Sequence, residues 1–264
     1  MGIEQTVTLA KGLLQQLFML SAMTQLLVFV VHGLIVYAIA FAFLSYFNRK
    51  LEVLQWTPVA PFFAAVSMVF ALFLAFHAAD IWTHKREAER AFIQAGSAIK
   101  RFDEMVGPTQ LNIPDAQREL GRYVKYVFKD EWRKNRNQKG SERAEGAFHN
   151  LQSIVLQATQ TLPAPTANQL NTLMNDIART RSDRLWIGGN HTEVSSWLAV
   201  IVLGFLTHLA VASVHFDRRR AGAVALALLA STTTIGYWSL GIVADPYRHS
   251  GQLNPSAWID NLPE

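Results

Sequence analysis

The chain contains no cysteine. Disulfide scaffolds, thiolate zinc sites, iron–sulfur centres and cysteine nucleophiles are therefore excluded. It is also poor in charge. Only 17% of its 264 residues are Asp, Glu, Lys or Arg, whereas soluble domains carry about 25%. The shortage is uneven, because 30 of the 44 charged residues lie between His84 and Glu193. The rest of the chain is nearly free of charge, which excludes disorder and the ordinary soluble classes. Enzyme signatures are missing too: there is no glycine-rich phosphate loop, no His-Glu-x-x-His and no Gly-x-Ser-x-Gly. We expect no enzymatic activity and no cofactor. No module for nucleic acid is present.

What the chain has instead is long apolar runs. A helix crossing a bilayer needs about 20 mostly apolar residues. Four stretches qualify: Leu26 to Phe47, Val59 to Trp82, Trp197 to Phe216 and Ala221 to Ala244. Pro58 and Pro61 suit the start of the second. Tyr46, Trp56, Trp82, Trp197 and Trp238 stand near span ends, as an interfacial aromatic belt requires. Upstream, Leu9, Leu13, Leu14, Leu17 and Leu20 predict a helix that either lies in the interface or extends the first span. Asp217 to Arg220 is too short a link for anything but an antiparallel hairpin of spans three and four. The predicted fold is all-α: a four-span helical membrane protein with a helical hydrophilic insert between spans two and three. The boundaries are 1–82 for the N-terminal segment with spans one and two, 83–196 for the insert, and 197–264 for spans three and four with the tail.

The insert shows helical period throughout. Span two continues without a breaker to Gly107-Pro108, with Ala88, Phe92, Ala95, Ile99 and Phe102 on one face. Ile113-Pro114-Asp115 opens a second helix. Gly140-Ser141 separates a third, Pro163 to Thr166 opens a fourth, and Gly188-Gly189-Asn190 is expected to break it. Nothing alternates with period two for long enough to build a sheet.

Three groups carry candidate chemistry. Phe62, Val66, Phe70, Phe73, His77 and Asp80 follow one another at steps of three and four along span two, which places them on one helix face. An aromatic face ending in ionisable groups suits a pore lining, since apolar constrictions gate by dewetting. His77, Asp80 and His84 also share a side, but Asp80 one turn from Lys85 fits a charge cluster among headgroups, and we assign no metal. Arg118, Arg122, Lys125, Lys129, Arg133 and Arg136 form a basic stripe with steps that hold one helix face for about five turns. Such a stripe is either a plain solvated face, or one that concentrates anions or meets anionic lipid or a partner protein. Arg181 and Arg184, one turn apart before span three, are expected to lock onto Asp245 at the end of span four.

Several strings together resemble a known family. They are Phe76-His77-Ala78-Ala79-Asp80-Ile81-Trp82 running into Arg86-Glu87-Ala88-Glu89, then Tyr123 to Trp132 with its Glu131-Trp132, Arg181-Ser182-Asp183-Arg184-Leu185, and Asp245-Pro246-Tyr247 with Gly251. Their order relative to the spans is similar to the bestrophin-like family known as DUF4239. That family usually has Pro before the Trp opening span three, where this chain reads Ser196-Trp197, and Asn190-His191-Thr192 replaces the usual approach. The resemblance implies kinship with bestrophins, which are oligomeric anion channels whose second membrane helix lines the pore and whose insert is cytosolic. It implies a passive anion channel, a homo-oligomer surrounded by membrane lipid, multi-pass in the bacterial inner membrane. The alternative is a non-conducting accessory or scaffold subunit that docks a protein partner through the insert. Loop charges point the other way on orientation. The two short loops hold five Lys and Arg against seven on the opposite side, and short loops weigh more, which would put the insert outside.

Overall fold

The computed structural model describes residues 3–50, 60–190, 194–248, 253 and 258. Trp56, Pro58, His191, Thr192 and Gly251 lie outside the described residues. The described residues are helical without a strand. In chain order the helices are α1 (Ile3–Met19), α2 (Ala22–Arg49), α3 (Ala60–Val106), α4 (Pro114–Tyr126), a π-helix (Val127–Lys134), α5 (Glu142–Thr159), α6 (Ala164–Asn190), α7 (Val194–Val214) and α8 (Arg219–Val243). Four of them, α2, α3, α7 and α8, are long and apolar enough to cross a membrane. They fall into two compact units, one of residues 1–83 and 192–245, the other of residues 84–191 and 246–264. Helix α3 contributes its first part to the membrane unit and the remainder to the insert unit.

In the membrane unit, α1 is a separate helix. The chain breaks at Leu20, and the Ser21 side chain accepts from the Thr24 backbone N–H at 3.1 Å, capping α2. Phe18 from α1 reaches the core and packs on Trp197, with ring centroids 5.1 Å apart. Helices α2 and α8 approach closely because small residues line their contact. A Cβ on Gly33 would run into Thr234, and one on Gly222 would come within 2.7 Å of Leu44. Two bonds cross between these helices: Trp238 Nε1 donates to the Ala22 carbonyl at 3.0 Å and Thr234 Oγ1 to the Phe29 carbonyl at 3.5 Å. Trp197 is not part of an aromatic belt. It is sealed in the core among Phe18, Phe29 and His77, where a large apolar ring gains more by full burial.

The insert unit buries one core. Ala88, Ala95 and Phe102 of α3 meet Leu120 and Val124 of α4, Phe148 and Leu151 of α5, and Leu170 and Ile177 of α6. An aromatic group of Phe92, Trp132, Tyr247 and Trp258 closes one side, with ring centroids 5.0–5.6 Å apart. Pro114 opens α4 at its first position, where a missing N–H costs nothing. The expected break at Gly188-Gly189 does not occur, and α6 runs through both glycines to Asn190. Gly188 serves packing instead, because a Cβ there would collide with the Asn137 backbone.

Candidate functional site

Helix α3 presents the first candidate site. Its membrane part is the least covered of the spans: 11% of its apolar window is buried, against 39% for α8. The six predicted lining residues differ in exposure. At 3.6 residues per turn, Phe62, Phe73 and Asp80 lie within about 20° of one another, while Val66, His77 and Phe70 sit about 40–80° further round. That drift decides their fates. Phe62, Phe73 and Asp80 are exposed, and Phe76 beside them is 63% exposed, whereas Phe70 is 7% exposed and His77 6%. Phe70 enters the core against Gly204, and the His77 ring stands edge-on to Trp197 at 4.6 Å.

A cavity of about 420 Å³ opens at this end of the helix, lined by Phe73, Phe76, His77 and Asp80 from α3 and Ser195, Ser196, Ala199 and Val200 from α7. Its chemistry is mixed. Two phenylalanines give an apolar wall. An imidazole and two serines at the start of α7 supply donors, at the helix end whose partial charge is positive. Asp80 opposes that field.

The basic stripe is the second candidate. Arg118, Arg122, Lys125, Lys129 and Arg133 are exposed. Arg118 pairs with Asp115 at 2.9 Å and Arg122 with Glu119 at 3.2 Å, while the Arg133 guanidinium lies 4.5 Å over the Phe128 ring. The stripe is not one five-turn α-helix. It changes to a π-helix at Val127, and Arg136 lies beyond the helix end with φ of 47°. The wider π turn takes up an extra residue, so Asp130, Glu131 and Trp132 are buried in succession.

That π turn builds the third site. Glu131, fully buried, accepts at Oε1 from Arg181 Nε at 3.1 Å, Arg181 Nη2 at 2.7 Å and the Ser141 backbone N–H at 3.1 Å. Its Oε2 accepts from Arg184 Nη2 at 2.6 Å. Arg181 Nη1 also bonds Glu145. Asp130 accepts from Arg143 Nη2 at 3.0 Å and from Ser141 Oγ at 3.2 Å. The Arg184 guanidinium lies 5.7 Å from the Trp132 ring, which meets Tyr247 edge-on at 5.1 Å. Burial opposes the charge on Arg181, but bonds from Glu131 and Glu145 outweigh it and raise its pKa. The bond from Arg181 holds the Glu145 carboxyl below its ordinary value. Burial pushes the Tyr123 hydroxyl up to about 12. Among the described residues, no group of three or more His, Cys, Asp and Glu side chains is placed to hold a metal.

The profile of the Bestrophin-like domain matches residues 27–257. The chain belongs to the bestrophin-like family. No curated protein matches it. Among solved structures, a bacterial bestrophin homologue from Klebsiella pneumoniae is similar at a TM-score of 0.66 and 14% identity, over 89% of this chain and 94% of that one. A point variant of a bacterial bestrophin homologue from the same organism is similar at a TM-score of 0.64 and 16% identity, over 89% and 95%. That likeness is one of fold. This bestrophin-like protein is thus an integral, multi-pass, all-helical membrane protein.

Within this bestrophin-like chain, strings far apart in sequence converge. Glu131-Trp132, Arg181 with Arg184, and Tyr247 meet inside the insert unit. The acid shared by the two arginines is Glu131. Asp245, the partner expected from the sequence, is buried at the end of α8 and counts with the membrane unit. In the sequence Glu131 stands out only as part of the Glu131-Trp132 string. A Glu next to a Trp in a cationic stretch was the signal, since a carboxylate beside a buried ring needs a cation.

Proposed function

We propose that this protein is a passive anion channel that assembles as a homo-oligomer in the bacterial inner membrane, with α3 lining the path. The observation that carries this reading is the uncovered arc of α3, Phe62, Phe73, Phe76 and Asp80, in a member of the bestrophin-like family. A span so little buried in one chain needs cover from lipid, from other copies or from water. Phenylalanines facing an axis narrow a path to an apolar neck that conducts only when wetted. Donors from His77, Ser195 and Ser196 at the cavity end would receive an anion leaving that neck. The exposed cations from Arg118 to Arg133 raise the local anion concentration by their field.

The native chain has no cysteine, so single cysteines are clean probes. Phe73→Cys and Asp80→Cys should react with an anionic methanethiosulfonate and lose chloride flux in proteoliposomes, while Phe70→Cys should be protected by the core. Modification at both outward positions without any change of flux would overturn the assignment of α3.

A second reading is a non-conducting subunit that docks a partner through the insert. Its specific support is three large apolar side chains exposed on the insert unit: Ile93 at 66%, Leu156 at 64% and Trp186 at 61%. Recovery of an assembled protein that passes no ion would favour it.

A further inference from the structure

The end of the membrane unit where α2 finishes and α8 begins carries a charge cluster that nothing described so far employs. Arg49 closes α2 and Lys50 follows it, while Asp217 and Arg218 precede α8, which opens with Arg219 and Arg220. Packing brings the two segments together. Asn48 Nδ2 donates to the Phe216 carbonyl, 168 positions away in sequence. Phe43 and Phe47 pack on the Phe216 ring, with centroids 5.6 and 5.1 Å apart. Gly222, in the first turn of α8, lies against Leu44 near the end of α2.

Charge at this place is one-sided. Asp217 is the single carboxylate among residues 41–50 and 212–225, and it pairs with Arg218 at 3.2 Å. Arg49, Lys50, Arg219 and Arg220 have no carboxylate partner among the described residues, and all four are exposed. The insert stripe differs, because there Arg118 and Arg122 are each answered by an acid one turn away. Two of the four cations rest on rings: the Arg219 guanidinium lies 5.0 Å from the Phe41 centroid and the Lys50 ammonium 5.4 Å from that of Tyr46. A ring face attracts the charge but leaves N–H donors for another acceptor.

Position selects that acceptor. The cations stand at the ends of two helices long and apolar enough to cross a membrane, which puts them among lipid headgroups rather than in open water. Phosphodiester oxygens are the acceptors concentrated there. A guanidinium fork matches two such oxygens, and an ammonium meets them as a point charge. A zwitterionic headgroup answers its phosphate with its own ammonium. Four cations without a carboxylate therefore favour a headgroup of net negative charge, and each basic side chain at a membrane surface adds to that attraction.

We propose that Arg49, Lys50, Arg219 and Arg220 form a binding site for the headgroup of an anionic phospholipid at this end of the membrane unit. The test is native mass spectrometry of the purified full-length protein, released from nanodiscs that hold equal amounts of phosphatidylglycerol and phosphatidylcholine. The wild type should retain phosphatidylglycerol over phosphatidylcholine by about tenfold. Changing all four residues to Gln should cut that preference to about twofold, and the fold should persist because exposed charges contribute little to stability. Asp217→Asn removes the competing carboxylate and should raise the preference, a gain that a damaged fold cannot mimic. Lys125→Gln with Lys129→Gln, on the insert stripe, should leave it unchanged. No preference in the wild type, or an undiminished one in the fourfold variant, would overturn the site. Loss confined to the insert variant would overturn it too and assign the lipid to the insert. The readout does not involve conduction, so it stands or falls apart from the channel reading.

Discussion

Arg184 Nη2 lies 2.6 Å from Glu131 Oε2, and the two side chains are 1% and 0% exposed. The two residues are 53 positions apart in sequence, so this pair ties the π turn to α6 inside the insert. A pair sealed from water is tolerated only when both partners are present, because a widowed ion keeps its desolvation penalty and loses its compensation. Glu131→Gln should therefore destabilise the insert by about 3–5 kcal/mol. Arg118→Ala, which removes an exposed pair with Asp115, should change stability by less than about 1 kcal/mol. Thermal unfolding of the two variants in the same detergent checks both. Equal effects would mean that burial of the pair does not matter.

Glu145 gives the pH dependence a sign. Its folded pKa is lowered by the bond from Arg181. A carboxyl of this kind contributes stability above its unfolded pKa and loses that contribution as pH falls through the lowered folded value. Stability should therefore decline below about pH 4.5, and Glu145→Gln should flatten that decline. At the alkaline end, the raised Tyr123 value, about 12, means the folded state prefers the neutral phenol. Its contribution is complete below about pH 10 and is lost as pH climbs towards the folded value. Melting temperatures across both limits, with Tyr123→Phe as the alkaline control, supply the measurement.

Phe70 and Phe73 are three residues apart but should behave oppositely. Phe70 is core, so Phe70→Ala opens a cavity and should lower stability by about 3–5 kcal/mol. Phe73 is 46% exposed, and Phe73→Ala should leave the melting temperature nearly unchanged while raising leak in proteoliposomes. A leak from Phe70→Ala with no loss of stability would reverse the assignment of the two faces.

How much of this was legible in the sequence varies by element. The four spans were, because an apolar run of twenty residues has few other uses. The insert helices were, because their buried positions recur at helical spacing and their starts carry Pro114 and Ser141. The lining stripe was legible only as a list. Steps of four advance the face and steps of three retard it, so Phe70 turned inward and Phe73 outward. The π turn left no periodic mark in the sequence, although it buries three successive residues, Asp130 to Trp132. Gly188 looked like a helix breaker because its reason for being small is the Asn137 backbone, about fifty residues away. Glu131 beside Trp132 signals locally that a cation is needed, but nothing local names Arg181 and Arg184, about fifty residues on, as its source.

Lys125 and Lys129 are exposed on the basic face and test its role. Reversing both to Glu should cut anion flux, and the effect should shrink at high salt, because charge is screened within about 8 Å at physiological ionic strength. Unchanged flux together with loss of binding to anionic vesicles would assign the face to lipid.

The most direct measurement is the reversal potential of the purified protein in a planar bilayer under a gradient of potassium chloride. The account predicts a current that reverses near the chloride equilibrium potential and moves towards zero when both sides hold equal chloride. An assembled protein that carries no current, or one whose current reverses near the potassium potential, would contradict it.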